Sequence, residues 1–483
     1  MTAEIKNKSK EEPAEYEESE RTSSKRKKLR GLDFSYLHKR SRVQAKYKER
    51  SAQKIQIGKD KKRKNYLIYA LPFVIFVALI ITIFIDSKLY NLLRLAESMR
   101  NQKVLIGFQN SAELRPTGGF WGSFAYLDVG SDLADSSLYF ETNPYKKDNP
   151  LLAETSVDLP TPMKETWPDR PQSFVNANWA IDFPQAAKTI EWYFGQGWDR
   201  DSDAVIAVSS LSIIDLLKLT GSIEAKDETV ITSENFTEVM SRKIDIEYWD
   251  NPQNIKINEP KTILMDIAPQ IIEKTKNLPR LTLYKFLLKQ FGQGRILAYF
   301  NDEKQENTVR KLGISGESKS YRCDYLQINN ANLNGNKTSL NIVQKIDYRV
   351  GQDGEKIHST LTISRTFLGG LYPEVLNRNY TRAVVPIGSR LISASLDSKD
   401  ITDQVEENSE TDKATFGFWF STGPGETKTA VLEYELPVGQ ESIGNYQLVV
   451  QKQPGTLDDY LEIDALGKQL FSGKNENTVL ILP

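Results

Sequence analysis

From Tyr66 to Ile85 the chain reads YLIYALPFVIFVALIITIFI, without a charge and apolar on every face of a helix. About twenty residues rising 1.5 Å each cross the roughly 30 Å hydrocarbon core of a bilayer, so the pattern predicts one transmembrane helix over 65–86. Residues 87–100 continue as a mixed helical stretch, read as a juxtamembrane stalk. The pattern then changes. Val104 to Phe108 is a short apolar run and Trp121 to Val129 alternates, predicting two strands about a structured loop. Thr142 to Pro171 carries Pro144, Pro150, Pro160, Pro162, Pro168 and Pro171, the signature of a long loop or lid.

Helix and strand periods alternate after that point. Asp182-Phe183-Pro184 opens a helix through Phe194, Asp203 to Val208 is a strand, and Ser212 to Leu219 is a helix stopped by Thr220-Gly221. Helices follow at Ser233 to Lys243, Thr262 to Lys276 and Leu281 to Phe291, then a strand at Ile296 to Phe300, a helix at Glu303 to Leu312 and a strand at Asp324 to Asn329. This order predicts an α/β domain over 101–333. Beyond Asn334-Gly335-Asn336 the helical period disappears. Alternating runs at Ser339 to Val350, Lys356 to Phe367, Thr381 to Val385, Phe416 to Ser421, Thr429 to Leu436 and Tyr446 to Gln451 predict an antiparallel β-sandwich over 334–483.

Charge orients the chain. Residues 1–64 hold 21 Lys or Arg against 10 Asp or Glu, and the run Lys61 to Lys64 abuts the span. The positive-inside rule puts this end in the cytoplasm and the C-terminal domains outside, on an uncleaved signal anchor. With few apolar residues the tail is expected to be disordered, its basic body drawn to anionic lipid rather than to nucleic acid. Its +11 leaves −12 for the rest of a chain whose total is −1. Cys323 is the single cysteine, so no internal disulfide can form, which points to a bacterial envelope. The two histidines, His38 and His358, all but exclude Ser-His-Asp and Cys-His catalysis and multi-histidine zinc sites.

Chemistry concentrates in the loop Asn110-Ser111-Ala112-Glu113-Leu114-Arg115-Pro116-Thr117-Gly118-Gly119, directly after a buried strand. Ligands of open α/β sheets bind at strand ends. In one reading the N–H groups of Gly118 and Gly119 approach an anion while Arg115 grips a phosphate, with Asn110, Glu113 and Thr117 beside them. In the other the glycine pair makes a tight turn and Glu113 pairs with Arg115. Asn178 and Asp182, flanking Trp179, either line the same cleft or serve as a helix cap beside a core anchor. Lys337 is either a further cation or a solvated turn residue.

The runs FQNSAELRPTGGFWGSFAYLDV, NANWAIDFPQAA, DAVIAVSSLSIIDLLKLTGSI, GRILAYFNDEKQ, DYLQINNANLNGNKTS, YTRAVVPIGSRL and PGETKTAVLEYELP resemble the bacterial domain-of-unknown-function family 4012, in order from Val104 to Lys452. The resemblance implies a membrane-anchored surface protein with an α/β domain followed by β structure. A weaker similarity in layout, from Asn176 to Ala225, is to the LytR-CpsA-Psr family, single-pass proteins that move glycopolymers from polyprenyl pyrophosphate to the cell wall. It implies that Arg115 and Glu113 would handle a pyrophosphate with a magnesium ion. Asn110 stands where that family has an aspartate, and its later Arg-Gln motif has no counterpart, with Arg295 and Arg310 the available substitutes.

The expectation is therefore a non-catalytic protein of the bacterial cytoplasmic membrane that binds a cell-wall glycan or a polyprenyl-linked precursor, with no cofactor and no nucleic acid. The alternatives are a phosphotransferase of the LytR-CpsA-Psr kind, using a divalent cation, and an adhesion or scaffold protein.

Overall fold

Where the backbone's hydrogen bonds go divides the chain into one mixed sheet with helices and two facing β-sheets. The computed structural model describes residues 87–152, 158–321, 323–372, 374–437 and 445–483. The expected cytoplasmic tail and membrane span lie outside these residues. Among the described residues no helix is long and apolar enough to cross a membrane.

The residues read as a stalk form helix α1 (Ser87–Ser98), which leads into strands β1 (Lys103–Asn110), β2 (Phe120–Asp128) and β3 (Ser137–Glu141). Helices α2 (Tyr145–Leu152), α3 (Thr161–Thr166) and α4 (Phe183–Trp198) precede β4 (Ala204–Ser209) and α5 (Ser210–Thr220). A small hairpin, β5 (Ile223–Glu224) and β6 (Val230–Ile231), is followed by α6 (Phe236–Asp245), α7 (Pro252–Ile257), α8 (Ile263–Lys276), α9 (Arg280–Gly292), β7 (Ile296–Phe300) and α10 (Glu303–Leu312). The main sheet runs β3-β2-β1-β4-β7. Only β1 and β4 are parallel, so a single crossover through α4 places two strand ends side by side.

Both faces of this sheet are covered, which is why β1 and β4 read as apolar runs. Ala187, Ile190, Tyr193 and Phe194 of α4 pack on Trp121, Phe124 and Tyr126 of β2. On the other side, residues of α1, α9 and α10 pack on Val104, Ala204 and Ala298. Helices α5, α6 and α8 and the small hairpin form a satellite core of their own around Leu217, Ile231, Phe236, Met240 and Ile267.

The remaining strands are β8 (Asp324–Asn332), β9 (Ile342–Asp353), β10 (Lys356–Phe367), β11 (Asn379–Pro386), β12 (Arg390–Leu396), β13 (Lys399–Asp400), β14 (Glu406–Glu410), β15 (Lys413–Trp419), β16 (Thr427–Leu436), β17 (Leu448–Gln451), β18 (Tyr460–Ala465), β19 (Lys468–Lys474) and β20 (Val479–Leu482). They form sheets ordered β13-β12-β16-β10-β9-β18-β19 and β14-β15-β11-β8-β17-β20. Alternate residues from both, among them Leu326, Ile363, Phe416, Leu432 and Ile463, meet in one core, as a sandwich requires.

Three expectations change. The sandwich is not purely antiparallel, because β17 enters parallel to β8 and β18 parallel to β9. Strand β8, read as closing the α/β unit, hydrogen-bonds between β11 and β17 inside the sandwich. All nine of its residues are buried: Leu326 and Ile328 face the sandwich core, while Ala331 packs with Leu159 and Met163, and Tyr325 with Ile181. Finally, the proline-rich segment contains helices α2 and α3. Pro162 sits in the first turn of α3, where a missing N–H leaves no helical bond unmade.

Gly107 in the middle of β1 marks how tightly the first sheet is packed. A Cβ there would lie 2.0 Å from Cζ2 of the fully buried Trp121. Gly107→Ala is expected to lower unfolding stability by about 2 kcal/mol through overpacking, measured by urea denaturation; an unchanged midpoint would refute this packing.

Candidate functional site

The loop from Asn110 to Gly119 leaves β1 and returns into β2, and its backbone is tied to the sandwich at several points. Asn332 N donates to Leu114 O at 2.9 Å, and Ser339 N donates to Ala112 O at 2.8 Å. Gln453 Nε2 donates to Arg115 O at 3.0 Å, and Asn329 Nδ2 to Pro116 O at 3.2 Å. Gly118 meets Gly455 backbone to backbone: a Cβ on Gly455 would lie 2.1 Å from the carbonyl oxygen of Gly118. Both glycines have positive φ, +122° and +67°, so close approach and conformation together demand glycine.

Arg115 is 1 % exposed. Its Nη1 donates to the carbonyls of Leu114, at 3.1 Å, and Asn332, and Nη2 donates to Glu113 Oε1 at 3.1 Å. The guanidinium lies 5.2 Å from the Phe120 ring centroid. Burial lowers its pKa, with the Glu113 carboxylate opposing the shift. Thr117 Oγ1 accepts from Gln109 Nε2 at 2.7 Å and Asn178 Nδ2 at 2.9 Å, and Asn178 also donates to Gly119 O at 2.8 Å. The Gly118 N–H donates to Arg115 O at 2.8 Å, and a Cβ on Gly119 would lie 2.6 Å from the Asn110 carbonyl. Asp182 caps α4 by accepting from Gln185 N at 3.0 Å, and its other oxygen accepts from Ser318 N at 2.9 Å. Thr117, Gly118, Gly119, Asn178 and Asp182 are thus engaged in holding the loop and α4, which is the turn-and-cap reading of these residues.

Asn110 and Glu113 have a different environment. Both line a cavity of about 450 Å³ at the C-terminal ends of the parallel pair β1 and β4. Phe108, Phe124 and Phe140 from the sheet face Ile213, Met240 and Leu264 from the satellite helices across it. Trp249 and Ile272 line the cavity and are also 39 % exposed, so its apolar wall continues onto the surface. Charge gathers at the loop: Glu113, Lys261, Asp245 and Lys337 all line it. Lys337 is paired with Asp245, whose other oxygen accepts from the Tyr372 hydroxyl.

Lys261 was not singled out from the sequence. Its ammonium donates to Gly122 O at 2.5 Å and lies 5.5 Å from the Phe120 and 5.8 Å from the Tyr145 ring centroid. Burial pulls its pKa down to about 8, only partly offset by the Glu113 carboxylate. No local pattern marks it; Glu259-Pro260-Lys261 reads as an ordinary interhelical turn.

A second pocket of about 100 Å³ shares Glu113, Phe120 and Tyr145 with the first and adds Arg115, Asp148, Trp167, Arg170, Ser173 and Asn176. Asp148 accepts from Phe174 N at 2.8 Å and Val175 N at 3.3 Å, which fixes the pocket wall.

The two other arginines proposed for phosphate contact line neither cavity. Arg295 Nη1 donates to Asp215 Oδ2 at 2.7 Å. Burial pushes the Asp215 carboxyl up, but Lys289, Lys218, Gln290 and Arg295 more than offset it and hold it well below the carboxylate range. Arg310 is paired with Glu317 at 2.8 Å. Glu113 Oε1 is tied to Arg115, and among the described residues no group of three or more His, Cys, Asp or Glu side chains is placed to hold a metal.

A mixed α/β unit with a clamped loop beside an apolar cavity, joined to a β-sandwich, is the class that fold and site define. Residues 100–244 match the model of the family described as a protein of unknown function, DUF4012, the family whose motifs stand in the sequence. No protein with a curated description matches the chain. Among solved structures, similarity extends to a Streptococcus agalactiae protein at 11% identity, over 46% of this chain and 75% of that one, with a TM-score of 0.29. It extends also to a candidate transcriptional factor of Listeria monocytogenes at 9% identity, over 45% and 78%, with a TM-score of 0.23. A candidate nutrient binding protein of Legionella pneumophila shares 10% identity over 26% of this chain, with a TM-score of 0.18, and the match spans about half of its length (51%).

Because Arg115 ties Glu113 and the Asn332 carbonyl together from a buried position, Arg115→Met is expected to cost about 3 kcal/mol of stability by leaving both without their donor. Guanidinium chloride unfolding checks this, and Arg115→Lys should recover little because lysine lacks the planar fork.

Proposed function

We propose that this protein binds a lipid-linked precursor of the bacterial cell envelope, with the isoprenoid chain in the 450 Å³ cavity and its phosphate at the Lys261 end. The observation that carries this reading is the composition of one cavity. Aromatic and aliphatic walls receive a hydrocarbon chain, and a few convergent polar groups at one end fix a charged head, the usual division of labour in a ligand pocket. Lys261 supplies a cation whose desolvation has already been met in the folded state, and an incoming phosphate would restore the charge partner that burial denies it. The apolar rim at Trp249 and Ile272 supports entry of an amphipathic molecule rather than a soluble sugar.

The proposal places the protein at the outer face of the cytoplasmic membrane, following the apolar run Tyr66 to Ile85 and its basic flank. It stops at binding and includes no transfer step.

Titration of the full chain in lipid nanodiscs with a radiolabelled polyprenyl phosphate tests the proposal. Saturable binding is expected, and it should weaken as pH rises from 7 to 9. The sign follows from Lys261: with a folded pKa near 8 its ammonium is present at pH 7 and is lost over this window. Lys261→Met should bind about tenfold more weakly at pH 7 and lose the pH dependence, as expected for one charge-assisted contact. Equal binding of phosphate-free polyprenol would overturn the assignment of the charged end, and no saturable binding would overturn the whole reading.

A further inference from the structure

Large apolar side chains left in water concentrate in one stretch of the helical side. Ile246, Trp249, Ile255, Ile257, Met265 and Ile272 are all exposed, and all fall between the end of α6 and the last turns of α8. Met265 and Ile272 stand seven residues apart on one face of α8, while Ile263, Leu264, Ile267 and Ile271 turn the other way and pack in the satellite core. Trp249 lies on a short 3-10 turn, Glu247–Asp250, and Ile255 and Ile257 on α7. Neither of these two elements has a buried residue.

Polar bonds hold this segment in shape. The Tyr248 hydroxyl donates to Asn254 O at 3.3 Å and accepts from Glu259 N at 2.6 Å, and Asn254 Nδ2 donates back to Tyr248 O at 2.7 Å. The Asn251 side chain caps α7 by accepting from Gln253 N at 3.0 Å, and Asn143 Nδ2 ties Asn258 O to the main sheet's side at 2.5 Å. Trp249, Ile255 and Ile257 are therefore presented on an ordered knob that does not need them for its shape. Clustered apolar side chains of this kind mark a surface with a partner.

The route of the chain selects the partner. The apolar run ends at Ile85 and α1 begins at Ser87, so by sequence one residue separates a membrane-spanning pattern from the folded domain. A domain on so short a leash meets lipid at high effective concentration. The side chains suit a bilayer interface: an indole, two isoleucines, and between these the exposed Lys256, whose stem can lie along lipid while its ammonium stays in the headgroups. Of the acidic groups, Glu247 is paired with Arg242 at 2.9 Å and Lys243 at 2.7 Å. Asp250 is exposed, which limits the knob to the interface rather than the hydrocarbon core. The geometry points to a second membrane contact, in which the 3-10 turn and α7 rest in the headgroup region of the outer leaflet with Trp249, Ile255 and Ile257 as anchors. Trp249 and Ile272 also line the apolar cavity, so this contact sets the cavity's rim against the leaflet. The inference rests on the membrane placement in the reading above and not on the ligand assigned there.

The test uses the full chain, with its one cysteine removed by Cys323→Ser, reconstituted into phosphatidylethanolamine–phosphatidylglycerol vesicles. A nitrobenzoxadiazole label is placed through Ile255→Cys, Ile257→Cys or, as the control, Ile387→Cys; the three side chains are similarly exposed, at 61 %, 56 % and 53 %. At 255 and 257 the label should lose about half its fluorescence to doxyl-labelled lipid, since interfacial anchors reach about 5–10 Å into the headgroup and acyl boundary. At 387, on the turn between β11 and β12, it should be unaffected. Because all three sites are at the surface, melting temperatures should match that of the Cys323→Ser parent, and a variant that melts lower is replaced by a label at Trp249. No quenching at 255 and 257 in protein that floats with the vesicles would overturn the second contact and keep the membrane placement; a protein partner would then be the reading of the knob. Equal quenching at all three sites would also overturn it, as non-specific adsorption. Failure to float with the vesicles would discard the placement and the contact together, whereas the binding of a polyprenyl phosphate is read separately and is unaffected by any of these outcomes.

Discussion

The rest of the structure hangs on one buried cation. Arg115 is withdrawn from solvent almost completely, and the Leu114 and Asn332 carbonyls, the Glu113 carboxylate and the Phe120 ring compensate its charge. Two of these belong to its own loop and one to β2, while Asn332 lies on the far unit's strand β8. A guanidinium can serve all of them because its donors fan out in a plane; a lysine ammonium could not. The loop between β1 and β2 is therefore locked to the sandwich. Glu113 is held where the two cavities meet.

That arrangement separates the loop's two ends by role. From Arg115 to Gly119 the backbone is consumed by contacts with Gln453, Asn329 and Gly455, and side chains there hold structure. Asn110 and Glu113 line cavity space while also holding the loop, Asn110 Oδ1 accepting from Ala112 N and Glu113 Oε1 from Arg115, and Lys261 joins them from a segment about 150 residues later. The low pKa of Lys261 results from burial, which strips water from its ammonium, and the Glu113 carboxylate opposes the shift.

Much of the element order was legible because its periods are local. Strand β7, helix α10 and strand β10 have the bounds that their patterns predict, and β4 falls within a residue. What escaped were edges and long-range pairings. Strand β14 reads EENSE, with no apolar alternation, because one side of an edge strand meets water. Helix α3 forms in a segment whose proline content argues for loop, since Pro162 in its first turn removes no helical bond. The parallel entry of β17 beside β8 joins residues more than a hundred apart, and no local pattern encodes such a partner.

By itself the sequence determined the class of most of the described segments, the exclusion of an internal disulfide, and the loop where polar groups concentrate, because hydrophobic period, cysteine count and glycine spacing are properties of neighbouring residues. It left open whether that loop was a turn or a site. Tertiary structure supplies the contacts residue by residue: Arg115, Thr117, Gly118 and Gly119 are held in the clamp, Arg115 also lines the smaller pocket, and Asn110 and Glu113 line the larger cavity. The reason is physical. Whether a charged group binds a ligand or serves the fold depends on which partners burial brings to it, and for Arg115 the deciding partner, the Asn332 carbonyl, lies 217 positions away along the chain.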